Sequence, residues 1–190
     1  IIDKFYISYA DELILVSPTS CNKAKSFYKR DVHLIYNGID SKTFFKKPKN
    51  ENTKILYTGT LSEVRNLKRI CKNIIKSKLK IELLIASRED PSLYGGDYSF
   101  VNYLGFIKRD KLEPIINDVD FLLILEGYDK ESEENIPAKL FEYISYEKPV
   151  MAMCSKNSDL LKILIETNSG KLVNDLRSFK RYIKSDYHEA

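Results

Sequence analysis

Histidine is almost missing from this 190-residue chain: only His33 and His188 occur. Two imidazoles so far apart make a His-based metal site or a Ser-His-Asp triad hard to build. His33 falls in an apolar run and reads as a core or edge residue. Cysteine is scarce and odd in number. Cys21, Cys71 and Cys154 form no C-x-x-C pair, which argues against a disulfide framework or a zinc site and fits a reducing cytosol. The seven glycines are dispersed. Neither G-x-x-x-x-G-K-[ST] nor G-x-G-x-x-G occurs, so the two best-known glycine-rich phosphate loops are excluded. Ser17, Ser87 and Ser155 each follow an apolar run but lie in no G-x-S-x-G elbow. The acidic cluster Glu131–Glu134 lacks the spacing of a calcium loop. No apolar run approaches the roughly 20 residues that span a bilayer, and no basic start with a small-residue cleavage site marks a signal peptide. The chain opens at Ile1 rather than Met and reads as a piece of a longer protein.

What is present is an ordinary soluble composition, 43% hydrophobic and 31% charged, with length for one domain, or one domain plus a fragment of another. Lys and Arg number 31 against 27 Asp and Glu, a net charge of +4. That excess permits attraction to phosphates or an anionic membrane without demanding it. Two stretches are more basic: Lys46-Lys47-Pro48-Lys49, and the series Arg65, Lys68, Arg69, Lys72, Lys76, Lys78, Lys80. The second reads best as the solvated face of an amphipathic helix. The 13 tyrosines are not interleaved with basic residues, so there is no stacking platform and no nucleic-acid partner is expected.

Strand and helix patterns alternate along the chain. Ile2 to Tyr9 reads as helix, Glu12 to Val16 as a buried strand, and Pro18 to Lys29 as a helix with Ser17 as N-cap and Pro18 at the first position. Val32 to Tyr36 reads as strand, Asn37-Gly38 as a turn, and Lys46 to Thr53 as linker. A second block runs Lys54–Tyr57 (strand), Val64–Lys76 (helix), Ile81–Ala86 (strand), Arg88–Tyr98 (loop), Phe100–Leu104 (strand closed by Gly105), Arg109–Asn117 (helix interrupted near Pro114) and Phe121–Leu125 (strand). After an acidic loop come a helix opened by Pro137, a strand from Pro149 to Met153, a helix at Asp159–Glu166, a strand at Lys171–Val173 and a terminal helix. Alternation of this kind predicts a Rossmann-like α/β fold, a parallel sheet with helices on both faces.

Three segments can carry chemistry. The first holds Glu134 and Glu142, eight positions apart, one before and one inside the Pro137 helix. In a parallel sheet both acids then sit at the carboxyl edge, where such folds bind ligands. The backbone N–H groups of Ala138, Lys139 and Leu140 can face a diphosphate or a sugar, and Glu142 can hold two ribose hydroxyls. The bland alternative is a solvated charge and a helix-surface acid; the flanking strands, Pro137 and Lys148-Pro149-Val150 favour the functional reading. The second is Thr58-Gly59-Thr60, where a glycine between strand and helix lets backbone approach a phosphate. Arg65, at the start of the next helix, can pair with phosphate oxygens; an ordinary turn is the alternative. The third is Gly105-Phe106-Ile107, whose backbone can line a pocket for a base, or form a turn with two core residues.

Five segments, in order, resemble one family. Ala10 to Ser17 is similar to the last strand of its N-terminal domain, Ile35-Tyr36-Asn37-Gly38-Ile39-Asp40 with Phe44 to its interdomain segment, and Ile55 to Leu61 to its phosphate loop. Val101 to Gly105 is similar to its V-x-F-L-G strand, and Glu134 to Val150 to its E-x(7)-E donor signature, in the subset reading P-x-K-x-x-E-Y before K-P-V. The family is that of the retaining GT-B glycosyltransferases, family 4 (group 1). The resemblance implies the C-terminal half of a GT-B fold: 1–45 as the last elements of the acceptor domain and the linker, 46–176 as the donor-binding domain, and 177–190 as a truncated C-terminal helix. It implies sugar transfer from a nucleotide-diphosphate sugar with retention, of hexosyltransferase type, without a metal or other cofactor, in surface polysaccharide or glycolipid synthesis. Glu134 then takes the catalytic role at the transferred sugar. Gly59, Thr60, Arg65, Gly105, Phe106, Ile107, Ala138, Lys139, Leu140 and Glu142 bind the donor. The family often carries arginine where this chain has Thr60, and lysine where it has Arg65. Lys139 then touches the donor or braces Glu142, with a solvated lysine as the alternative. The acceptor, a glycan or lipid-linked sugar, binds through the missing N-terminal domain. The implied location is cytoplasmic, with peripheral association at the inner face of the membrane. Alternatives are a noncatalytic nucleotide-sugar-binding module, a plain interaction domain, and a GT-B type nucleotide-sugar epimerase.

Overall fold

The computed structural model describes residues 2–39 and 51–188. Asp40, Phe44, the run Lys46 to Lys49 and the 45/46 boundary lie outside the described residues, as does the His188 side chain.

The longest apolar runs become parallel strands because they are covered on both sides. Among the described residues β1 (Ile14–Leu15) and β2 (His33–Leu34) pair only with each other. The six others, β3 (Thr53–Thr58), β4 (Ile81–Ala86), β5 (Val101–Tyr103), β6 (Phe121–Leu125), β7 (Val150–Met153) and β8 (Gly170–Leu172), form one sheet in the order β5-β4-β3-β6-β7-β8. Every pairing in it is parallel. β3 stands at the centre, with Ile55 opposite Phe121 on one side and Leu83 on the other. Successive side chains point to opposite faces. Ile55, Tyr57, Leu123 and Met151 therefore enter one core layer, and Leu56, Leu122, Ile124 and Ala152 the other.

Helices α1 (Ile2–Ser8), α2 (Pro18–Tyr28), α3 (Lys68–Ser77), α4 (Glu113–Asn117), α5 (Lys139–Ser145), α6 (Asp159–Glu166) and α7 (Leu176–His188) complete the described chain. Residues of α3 and α7 cover the first layer, those of α4, α5 and α6 the second. The sheet thus has helices on both faces, as expected. Ser17 caps α2 as expected, accepting from the Ser20 amide, and α2 closes on Lys29 in the left-handed region.

Several expectations are corrected. β1 and β2 are two-residue strands rather than five, and Ile14 is exposed, so this sheet is not buried. His33 is an exposed edge residue, 2.7 Å from the Glu12 carboxylate. The backbone through Ile39 makes no turn at Asn37-Gly38. Thr53, read as linker, already belongs to β3. α3 starts at Lys68, not Val64, because 62–67 are held in a loop: Arg65 N–H donates to Ser62 Oγ, and Leu67 N–H to the Tyr94 carbonyl. The Arg88–Tyr98 loop contains a 3-10 turn, Pro91–Tyr94. The 109–117 helix is split into a 3-10 turn, Arg109–Lys111, and α4, with Pro114 in the first turn of α4. α5 begins at Lys139; Pro137 precedes it, and its carbonyl accepts from Leu140 N–H at 2.9 Å.

Candidate functional site

The strand order reverses between β3 and β6, and in open parallel sheets ligands bind in the crevice at the carboxyl ends beside such a reversal. β3 ends there on Thr58-Gly59-Thr60, with Gly59 at φ +121°, a backbone state L side chains rarely adopt. β6 ends on Glu126, which is 2% exposed.

The glycine turn is fixed from beneath by two buried tyrosines and a half-buried lysine. Tyr57 Oη donates to the Thr60 carbonyl at 2.7 Å. Tyr143 Oη accepts from the Thr58 amide at 3.2 Å and shares a hydrogen with Thr58 Oγ1 at 2.8 Å. Lys139 Nζ donates to the Thr58 carbonyl at 3.0 Å and lies 4.3 Å from the centre of the Tyr57 ring. Lys139 and Tyr143 stand four apart on α5, one above the other on the same helix face. Burial pushes the Lys139 ammonium down to about 8, opposed by the Glu126 carboxylate and reinforced by Arg65. Burial likewise raises the Tyr143 hydroxyl to about 12, against its hydrogen bonds with Thr58. Beyond the turn, Leu61 N–H donates to Glu89 at 3.0 Å. The Ser87 hydroxyl and that amide hold the Glu89 carboxyl below the usual carboxylate range.

A cavity of about 350 Å³ opens beside the turn, lined by Thr58, Gly59, Thr60, Phe106, Ile107, Arg109, Glu142 and their neighbours. Five of the residues expected from sequence thus converge there: Gly59, Thr60, Phe106, Ile107 and Glu142. Ile107 also packs on the core, whereas Phe106 is 60% exposed, so it is not the core residue of the bland alternative. Glu142 is met by Arg109 at 2.8 Å. The guanidinium of Arg88 lies 4.4 Å from the Phe106 ring centre, a cation–π contact. Sequence reasoning passed over Arg88 and Arg109. The signal was available: each arginine follows closely on a segment already picked out, the end of β4 and the Gly105-Phe106-Ile107 turn.

The other expected residues lie elsewhere. Gly105, at φ +69°, turns the chain into Phe106 without lining the cavity. Arg65 is not at a helix start. It sits in the loop before α3 and grips Glu126 with two hydrogen bonds, Nε at 3.0 Å and an Nη at 3.1 Å, the bidentate geometry that makes Arg–carboxylate pairs specific. The Leu140 amide is not available to a ligand, since Pro137 takes it. Ala138, in helical conformation, precedes α5 at the surface. Glu134 lies at the end of a 3-10 turn, Ser132–Glu134, and faces α2: it accepts from Ser20 Oγ at 3.0 Å and lies 3.3 Å from Lys23 Nζ. Neighbouring Glu133 accepts from Ser155 and Asn157. Both acids are therefore engaged.

Chemically, the cavity offers an aromatic and aliphatic wall to a planar ring, a carboxylate to paired hydroxyls, and a glycine turn with a half-buried ammonium beneath it. Among the described residues no group of three or more His, Cys, Asp or Glu is placed to hold a metal, and no helix is long and apolar enough to cross a membrane.

No protein-family model matches the chain, and no curated protein matches it in sequence. Solved structures do match in shape. Sucrose-phosphate synthase from Thermosynechococcus elongatus aligns with 97% of this chain and 51% of its own, at 19% identity and a TM-score of 0.66. HepE from Anabaena, in complex with UDP-glucose, aligns with 95% of this chain and 55% of its own, at 15% identity and a TM-score of 0.71. TarM aligns with 97% of this chain and 39% of its own, at 14% identity and a TM-score of 0.62. The chain thus spans about half the length of these proteins or less, and the likeness is one of fold: the Rossmann-like, six-stranded parallel half of the GT-B architecture.

Proposed function

We propose that this chain is the donor-binding part of a glycosyltransferase that moves a hexosyl unit from a nucleoside-diphosphate sugar to an acceptor with retention. The observation that carries the reading is the placement of Glu142, with Arg109, in a cavity that opens beside Gly59 at the point of strand reversal. The base lies against Phe106 and Ile107, the ribose hydroxyls on Glu142, and the diphosphate over the glycine turn. The sugar then extends toward Glu134 and α2. Positive charge at the diphosphate stabilises the leaving group as the glycosidic bond breaks, the electrostatic role that dominates such reactions; no metal is assigned. HepE, bound to UDP-glucose, makes uridine the first base to test. In this reading 1–45 complete an acceptor domain, 46–176 bind the donor and 177–190 close the domain, and the acceptor is a surface glycan or glycolipid precursor.

Calorimetric titration with UDP, GDP, ADP and CMP tests this. One nucleotide is expected to bind selectively, and Glu142→Ala is expected to weaken it about tenfold or more, the scale of a hydrogen bond to a charged group. A folded chain that binds none of the four overturns the reading. One observation favours a second reading, a nucleotide-sugar-binding module without catalysis: Arg65 is committed to Glu126, and Glu134 to Ser20 and Lys23. Sugar transfer that survives Glu134→Ala, assayed with an acceptor domain present, selects that alternative.

A further inference from the structure

Arg65, Glu126 and Lys139 form a charge cluster behind the glycine turn that is unbalanced. The cluster has two cations and one acid. Both oxygens of the Glu126 carboxylate are taken by the Arg65 guanidinium. Lys139 is left with neutral partners, the Thr58 carbonyl and the Tyr57 ring. An ammonium drawn part-way out of water without a full counter-charge carries a cost. The geometry shows where a second anion would sit. A Cβ built on Gly59 would lie 3.5 Å from Lys139 Nζ, so only the bare backbone of the turn separates that ammonium from the crevice. Position 60, next along the turn, is a neutral threonine. α5 carries Lys139 to the turn on one face and Glu142 to the cavity on another.

Resting on the donor-site reading above, we propose that Lys139 is the positioning cation for the donor's diphosphate, acting from beneath Gly59, and that the diphosphate supplies the counter-charge the cluster lacks, so that binding drives Lys139 fully to its protonated form. The ammonium's depressed value of about 8 without a ligand sets the range in which this is seen. The titratable and charged groups facing it are Tyr57 from β3, Tyr143 from α5, Arg65 from the loop before α3 and Glu126 after β6. Of these, the two tyrosines are raised by burial and stay neutral near pH 8. The proton comes from the buffer and goes to the Lys139 amine.

The test is titration of the whole chain with UDP at pH 8.5, where the UDP phosphates are already fully ionised, in two buffers of different ionisation enthalpy. The wild type is expected to take up about three quarters of a proton per UDP bound, from a group at about 8 driven to full charge. Lys139→Met is expected to bind about tenfold more weakly or worse and to take up no proton. Lys139→Arg, permanently charged, is expected to keep most of the binding and also take up none, which separates charge from folding should Lys139→Met prove unstable. Wild-type binding without proton uptake, or uptake that survives in Lys139→Arg, overturns the role of Lys139 and leaves the donor site standing. A folded wild type that binds no nucleoside diphosphate overturns both.

Discussion

At Gly170, the first residue of β8, an added Cβ would come within 2.5 Å of the Val150 carbonyl oxygen and 2.9 Å of Val150 Cβ. The obstacle is the backbone of β7, which cannot swing aside as a long side chain can. Gly170→Ala is therefore expected to destabilise the fold by about 1–3 kcal/mol, the usual cost of overpacking, read as a lower midpoint in urea unfolding. Residues of this kind are poorly legible in sequence, because a strand glycine announces neither its neighbour nor its distance. The same holds for Arg65 and Glu126, which stand 61 positions apart: the helical spacing of Leu67, Ile70, Cys71 and Ile74 placed Arg65 at a helix start, and a distant buried carboxylate drew it into a loop. Glu142 was legible because strand, turn, helix and proline around it fix which edge of the sheet it reaches. Its partner Arg109 was not, since nothing local links 109 to 142.

Among the elements, α2 is fastened to the main sheet's helices by side chains rather than strand pairing. Asp159, the first residue of α6 and 1% exposed, accepts from the Thr19 amide at 2.7 Å, from Thr19 Oγ1 at 2.9 Å and from Lys162 at 2.8 Å. Burial pushes its carboxyl up, but these donors outweigh burial and hold it below the ordinary carboxylate value. A carboxyl depressed on folding stabilises the protein above its unfolded value, and that contribution is lost as the pH falls through the folded one. The α2 attachment should therefore persist at neutral pH and fail in acid, below 3.8, the ordinary value for this group. Asp159→Ala is expected to remove it at neutral pH at a cost of about 1 kcal/mol, since it leaves the part-buried Thr19 donors without their acceptor. Faster amide exchange at Thr19, with β3 to β7 unchanged, is the expected signature; equal protection in the variant contradicts it. Of the elements themselves, β4, β6 and α6 match their sequence-read limits because each is a self-contained apolar run or an Asp-led amphipathic turn. β1 and β2 fell short because a strand's length is set by its partner, and among the described residues each pairs only with the other, over two residues.

For the whole molecule, a ligand that binds only the folded state adds stability that rises with the logarithm of its concentration above the dissociation constant. At a concentration one hundred times its dissociation constant the gain is about 2.7 kcal/mol, which for a chain of 190 residues corresponds to a rise in Tm of about 5–10 °C. UDP is expected to give a shift of this size in the wild type and about half of it or less in Glu142→Ala at the same concentration, measured by scanning calorimetry. A shift equal in both would place the nucleotide away from Glu142.

The central pair of strands has a further consequence. β3 and β6 are neighbours, and Lys54 N–H donates to an Asp120 carboxylate oxygen 66 positions further along. Loop closure over that span must be met before any such contact forms, and non-local pairings of this kind slow folding. β4 and β5, whose chain lies between, can dock on β3 beforehand. The crevice is thus one of the last features a newly made chain acquires: half of the sheet can be in place while Glu126, and the α5 side chains that fix the glycine turn, have yet to arrive.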